Sequence, residues 1–320
     1  MSFRRRMMIS AMQGENCLTF NVLAEEGQTL SVQPRLGGTI TLDFGDGSKQ
    51  TIPNNSTVTH TYTAGEWVVK IYGATCINCY IRGTANIKSS NEKWAYLGSQ
   101  FTNGEYMFRD LSNSELAFTS LPEQLTSIKG MFYNDTNALL PLTKLPANVT
   151  DIQNAFYTNK KAILPLSILP DGVKLGNGAF RGCHVANIHL TTLPLGLIDG
   201  GNMFAECFAA DIRISELPTT LTNVTGTFQR CGGIFSISKL PDGLTSCAYM
   251  FNDYDQRGSH PMNLDDFVAN APTGGYPSVA SIDYMFNWCT ELTGSRSAFL
   301  ALFPNLTSSV GTFSNTNTTE

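Results

Sequence analysis

Phe108, Phe132, Phe156, Phe180, Phe204 and Phe228 stand 24 residues apart, and Phe251 follows after 23. A second apolar landmark keeps the same step, at Leu121-Pro122, Leu145-Pro146, Leu169-Pro170, Leu193-Pro194, Leu217-Pro218 and Leu240-Pro241. A constant period with fixed apolar positions means that each repeat is one coil, burying its apolar face only against its neighbours. Eight and ten residues after each Phe come Leu116 and Phe118, Leu140 and Leu142, Leu164 and Leu166, Ile188 and Leu190, then Ile212 and Ile214. In the coil after Phe228, one residue short, the pair is Phe235 and Ile237. Alternation at period two predicts a short strand with one buried face. The Leu-Pro that follows lacks a ladder donor and ends it. The expectation is a mainly β protein with one short parallel strand per coil of about 24 residues and the Phe column inside the stack.

If positions eight and ten face inward, nine and eleven face outward. That places Ala117 and Thr119, Pro141 and Thr143, Pro165 and Ser167, His189 and Thr191, and Arg213 and Ser215 on one continuous face. The face is polar and nearly uncharged until Arg213, so contacts through hydroxyls with a glycan or a protein fit it better than a charged ligand. The alternative is a merely solvated sheet face. Pro141 and Pro165 are expected to leave the sheet imperfect, since proline cannot donate to a ladder.

Segments such as Met203, Phe204, Ala205, Glu206 and Cys207, followed by Ile212, Ile214, Leu217-Pro218 and Leu221, resemble the BspA-type leucine-rich repeat and the related Met-Phe-x-x-Cys repeats of bacterial surface proteins. The resemblance covers about residues 100–320. It implies a leucine-rich-repeat-like solenoid and roles in adhesion or binding. After Phe251 the rhythm breaks: 35 residues lead to Phe286 and 27 more to Phe313. The added stretches Asn263–Val268 and Ser297–Leu302 have helical spacing and are expected to replace the strand there.

Residues 17–73 read as a separate β-sandwich, with alternating apolar runs and turn punctuation. Asp43, Phe44, Gly45, Asp46, Gly47 and Ser48, with His60, Thr61, Tyr62, Gly65 and Trp67, resemble the PKD-type domain, a small immunoglobulin-like fold. Asp43 and Asp46 suggest calcium, but the loop lacks the alternating carboxylates and closing Glu of an EF-hand, so a structural turn is the expectation. His60 is expected at a strand end. Residues 74–106 are irregular, as a terminal cap is, with Trp94, Tyr96, Leu97 and Phe101 as its covering residues. Residues 107–320 form the solenoid.

Charged residues make up 15% of the chain, against about 25% in an average soluble protein, so Ser, Thr, Asn and Gly must build the surface. With a net charge of −5 there is no broad basic face for phosphates, and nucleic acid is not an expected partner. No apolar run reaches the roughly 18 residues of a membrane span. Residues 1–16 form a short arm in which Phe3, Met7, Met8 and Ile9 flank Arg4, Arg5 and Arg6. Its apolar run is shorter than the roughly 7–15 residues of a signal-peptide core, and it is expected to dock on another polypeptide.

Four cysteines share a column three residues after a landmark Phe: Cys183, Cys207, Cys231 and Cys289. They are expected as reduced, buried packing thiols. Cys76 and Cys79 form a lone Cys-x-x-Cys with no second pair for zinc. Cys183, His184 and His189 face different sides of one coil and are not expected to converge. The four histidines form no recognisable catalytic constellation. Neither an enzyme, a cofactor nor a metal is expected. Two classes remain. One is a structural recognition protein of a virion, a tail-fibre or capsid-appendage component, oligomeric or part of a larger assembly, with a host-surface protein or glycan as partner. The other is a bacterial cell-surface or secreted adhesin.

Overall fold

The computed structural model describes residues 17–72, 77–88, 101–253 and 257–320. The arm residues Phe3 to Ile9 lie outside that description, as do Cys76, Trp94, Tyr96 and Leu97. The described chain is mainly β. Eight strands open it: β1 (Cys17–Ala24), β2 (Thr29–Arg35), β3 (Ile40–Asp43), β4 (Lys49–Ile52), β5 (Val58–Thr61), β6 (Gly65–Tyr72), β7 (Asn78–Gly83) and β8 (Asn86–Lys88). They form two antiparallel sheets, β4-β3-β6-β1-β8 and β5-β2-β7. Leu30 and Val32 of β2 point inward and Thr29 and Ser31 outward, the alternation that buries one face. Phe20, Val22, Leu42, Tyr62, Val69, Ile71 and Ile81 complete the core.

The sheets do not stop at residue 73. β7 pairs with β2 and β8 with β1, so the antiparallel part runs to Lys88. The same two strands meet the repeats. Ile81 donates its N–H to the Met107 carbonyl (2.8 Å) and Glu115 donates to the Ile87 carbonyl (3.1 Å). Side chains finish the seam: Asn78 Nδ2 donates to the Glu105 carbonyl (3.1 Å) and Arg82 Nη1 to the Met107 carbonyl (3.2 Å). Backbone groups left open at the start of the repeats thus find partners in the sheets.

From Asn103 onward, successive units lie side by side through parallel bridges at Asn103, Ser127, Asp151, Leu175, Asp199, Asn223 and Ser246. The most regular ladder lies at the Phe turn. There the N–H groups four and two residues before Phe, of Phe itself, and two after it all donate to carbonyls of the next unit. In the unit of Phe156 these are Ile152 to Leu175 (2.9 Å), Asn154 to Asn177 (2.9 Å), Phe156 to Ala179 (2.8 Å) and Thr158 to Arg181 (2.7 Å). Aiming alternate N–H groups the same way requires left-handed backbone on both sides of Phe. Tyr106, Gly130, Asn154, Gly178, Asn202, Gly226, Tyr249, Tyr284 and Gly311 have φ between 52° and 64° two residues before it. Asp110, Asn134, Thr158, Gly182, Glu206, Arg230, Trp288 and Asn315 have φ between 51° and 74° two residues after it.

Phe108 to Phe313 form one row of near-parallel rings with centroids 5.4 to 6.1 Å apart. That exceeds the roughly 4.8 Å between neighbouring strands, so the rings are offset, the arrangement their quadrupoles favour. The row continues unbroken through Phe251, Phe286 and Phe313, where the sequence loses its period.

The expected strand in every unit is corrected. Among the described residues only β9 (His189–Leu190), β10 (Asp211–Ile214), β11 (Gly233–Phe235) and β12 (Gly258–Ser259) form a parallel sheet. At Leu116, Leu140 and Leu164 there is none. Leu142 instead donates back to the Leu140 carbonyl and Leu166 to that of Leu164, both at 2.7 Å. These are three-residue turns centred on Pro141 and Pro165, whose fixed φ suits them. Both stretches of helical spacing are helices, α1 (Leu264–Ala269) capped by Asn263 and α2 (Arg296–Leu300) capped by Ser295.

Candidate functional site

The predicted facing of the repeats holds in each unit that carries the candidate residues. Leu116, Phe118, Leu140, Leu142, Leu164, Leu166, Ile188, Leu190, Ile212 and Ile214 are buried. Thr119, Thr143, Ser167, His189, Thr191, Arg213 and Ser215 are exposed, while Ala117, Pro141 and Pro165 are half-buried. The face therefore survives in the units where the ladder does not, because burial of the apolar pair, not strand pairing, orients its neighbours.

Asp211 was not among the expected site residues, yet it organises the charged end of this face. The pairing of β9 with β10 sets Asp211 beside His189. Its carboxylate lies 3.6 Å from His189 Nδ1 and accepts from Arg213 Nε at 2.9 and 3.1 Å. Arg213 is thus a partner of Asp211, and the end of the face is a closed, nearly neutral group. Two residues before the expected outward positions, Leu139 and Ile163 add 43% and 39% exposed apolar side chains next to Pro141 and Pro165. Extending the period-two pattern back by one step would have found all three.

The turn from Asp43 to Ser48 and His60 form a cross-brace. Asp43 Oδ1 accepts the Gly45 N–H (3.0 Å), and Asp46 Oδ1 accepts the N–H and hydroxyl of Ser48 (3.0 and 2.6 Å). His60 Nε2 meets Asp46 Oδ2 at 2.8 Å and its ring stacks on Phe44 at 4.1 Å. Burial alone would raise the Asp46 carboxyl, but the Ser48 hydroxyl and amide and His60 hold it below its ordinary value. Gly45 has φ 86°, and a Cβ there would sit 2.6 Å from the Val68 carbonyl, so the turn admits only glycine. The carboxylates of the loop are committed to holding it.

The cysteine column is buried and its thiols are free. Cys183, Cys207 and Cys289 donate Sγ–H to the carbonyls of Phe156, Phe180 and Phe251, at 2.9, 3.1 and 3.2 Å. Burial pushes the Cys183, Cys231 and Cys289 thiols up, which keeps them protonated donors. In earlier units Asp135 and Asn159 fill the column. Asn159 Nδ2 donates to the carbonyls of Asp135 (2.9 Å) and Ala138 (3.0 Å), whereas both Asp135 carboxyl oxygens are buried without a partner. Burial raises that carboxyl to about 9.

His184 stacks on Phe208 at 4.7 Å, while His189 meets Asp211, so the two histidines serve different neighbours. Among the described residues no group of three or more His, Cys, Asp or Glu is placed to hold a metal ion. No helix of the described residues is long and apolar enough to cross a membrane. Comparison with protein-family models, curated proteins and solved structures finds no match for the chain.

Proposed function

We propose that the chain is a non-enzymatic recognition and assembly protein of a virion, a component of a tail fibre or capsid appendage. In this reading residues 107–320 are a leucine-rich-repeat-like solenoid that presents a binding surface. Residues 17–73, extended to Lys88, are a PKD-type spacer, and residues 74–106 belong to the join. The observation that carries the reading is the outward row from Thr119 to Ser215, set by buried partners at alternate positions. Such a surface displays side chains at fixed spacing without moving them, which suits recognition. The arm residues Phe3, Arg4, Arg5, Arg6, Met7, Met8 and Ile9 are the proposed contact with a neighbouring subunit, and a host-surface protein or glycan is the proposed partner.

A bacterial cell-surface or secreted adhesin is the second reading, favoured by the likeness of Met203–Cys207 to surface-protein repeats. Quantitative mass spectrometry of purified particles and of cell envelopes separates the two: enrichment in particles supports the virion, enrichment in envelopes the adhesin. Deleting residues 2–13 should abolish incorporation while leaving the thermal midpoint unchanged. The double variant His189→Ala, Arg213→Ala should weaken attachment to host cells at unchanged stability, as expected at exposed positions. Full attachment by that variant would remove this face from the reading.

A further inference from the structure

A cleft opens where the repeat loses its register. The unit after Phe228 is one residue short, and the next carries the insertion that contains α1. Between the corners Leu217-Pro218 and Leu240-Pro241, beside the C-cap residue Asn270 of α1, lies a cleft of about 300 Å³. Leu217, half-buried, is its accessible apolar side chain, over a floor formed by the buried Leu240 and Pro241. The lining is fixed, since the Tyr276 hydroxyl donates to the Leu240 carbonyl at 3.2 Å.

We propose that this cleft binds a single pyranose ring of a neutral glycan. The inference rests on the recognition reading and names its ligand class. About 300 Å³ is the lower limit of small-ligand pockets, room for a ring and not for a chain. The polar lining suits hydroxyls. Glu216 is exposed with no ion pair among the described residues, a two-oxygen acceptor able to take vicinal hydroxyls. Asn270 spends its Nδ2 on the Asp266 carbonyl (2.8 Å), which leaves Oδ1 as an acceptor. Ser215 and Thr219 add hydroxyls that donate and accept.

The charge balance selects against anions. Lys239 is held by Asp242 at 3.0 Å, so Glu216 leaves the cleft with one net negative charge. Acidic sugars and phosphates are repelled, while neutral hydroxyls meet acceptors and the half-buried Leu217 side chain is left for the C–H groups of the ring. A second corner cleft, of about 260 Å³ at Ile168, Asp171, Thr192 and Leu195, has one carboxylate and no amide, and serves as an internal control.

The test is saturation-transfer NMR on the full chain with methyl α-D-mannopyranoside, methyl α-D-glucopyranoside and methyl β-D-galactopyranoside, against N-acetylneuraminic acid and glucose 6-phosphate. At least one neutral glycoside should receive saturation and neither anion should. Glu216→Ala and Asn270→Ala should each weaken the bound glycoside by roughly tenfold, the loss of a hydrogen bond to the site. Asp171→Ala should change nothing, Glu216→Ala and Asp171→Ala should keep the parent thermal midpoint, and Asn270→Ala, which also loses the bond to the Asp266 carbonyl, is compared at a temperature where circular dichroism shows it fully folded. Absence of any neutral-glycoside signal, equal binding of the anions, or unchanged affinity in both Glu216→Ala and Asn270→Ala overturns the proposal. Attachment to host cells, measured separately, distinguishes the failures. A chain that attaches without a sugar signal loses only the cleft, whereas one that attaches to nothing loses the recognition reading.

Discussion

Asp135 fills the place that Cys183, Cys207 and Cys231 take in later units, and the exchange is unfavourable. The Cys183 and Cys207 thiols reach the carbonyls of Phe156 and Phe180 and that of Cys231 the Gly232 carbonyl, whereas the two Asp135 oxygens are buried without a partner. Burial raises its carboxyl from 3.8 to about 9, so the folded chain holds the proton more tightly than the unfolded chain. The stability linked to that proton is complete below the ordinary value near 3.8 and is lost as pH climbs to about 9. Asp135→Asn removes this titration. It should add about 1–3 kcal/mol at pH 7 and flatten the fall in stability between weakly acidic and alkaline pH. Urea unfolding across that range checks it, and an unchanged slope would mean that the carboxyl has found a partner. The buried column itself was legible in the sequence from the spacing of the cysteines. Its cost at Asp135 was not, because a hydrogen-bond deficit depends on which carbonyl a side chain can reach.

The Phe turn is the element that repeats most faithfully, and it was hidden behind the apolar period. Pattern reading sees which side chains are buried, and it placed the ladder at the apolar pair. The continuous ladder instead runs through the backbone around Phe, where left-handed φ values aim alternate N–H groups at the next unit. The mixed composition of those positions, with Gly130 and Gly178 but also Tyr106 and Thr158, masks the requirement. Thr158 is the least suited, since a β-branched side chain at φ 55° crowds its own backbone. Thr158→Gly should stabilise the chain by about 1 kcal/mol, the relief of strain outweighing the added freedom of the unfolded chain. Gly178→Ala should destabilise it, because its φ of 62° is a conformation that L side chains rarely adopt. Thermal denaturation of both variants checks the pair, and a gain in the second would contradict the backbone assignment.

Across the whole described chain, the antiparallel sheets and the repeats share β7 and β8. Each strand pairs inside a sheet and also closes the first unit, with Asn78 and Arg82 satisfying carbonyls that no earlier unit reaches. Burial lowers the Arg82 guanidinium below its ordinary value, the mark of a cation spent on backbone oxygens inside the structure. The two parts should therefore unfold together. Asn78→Ala combined with Arg82→Met should split a single calorimetric transition into two and cost about 1–3 kcal/mol. A single transition at the parent midpoint in that variant would show that the seam does not couple them.

The sequence by itself determined the period, the buried Phe row, the inward and outward alternation, the two helices and the glycine turn at Gly45 and Gly47. All of these depend on residues near one another in the chain or on a constant step between them. Tertiary structure decided which units pair as strands, because the turns at Pro141 and Pro165 compete with the ladder through backbone geometry. It also decided that Asp211 closes on His189 and Arg213, and that sheets and repeats share two strands. The corner cleft, too, is lined by three separate segments, around Leu217, Leu240 and Asn270. Each of these rests on contacts between residues far apart in the chain, for which a periodic pattern carries no signal.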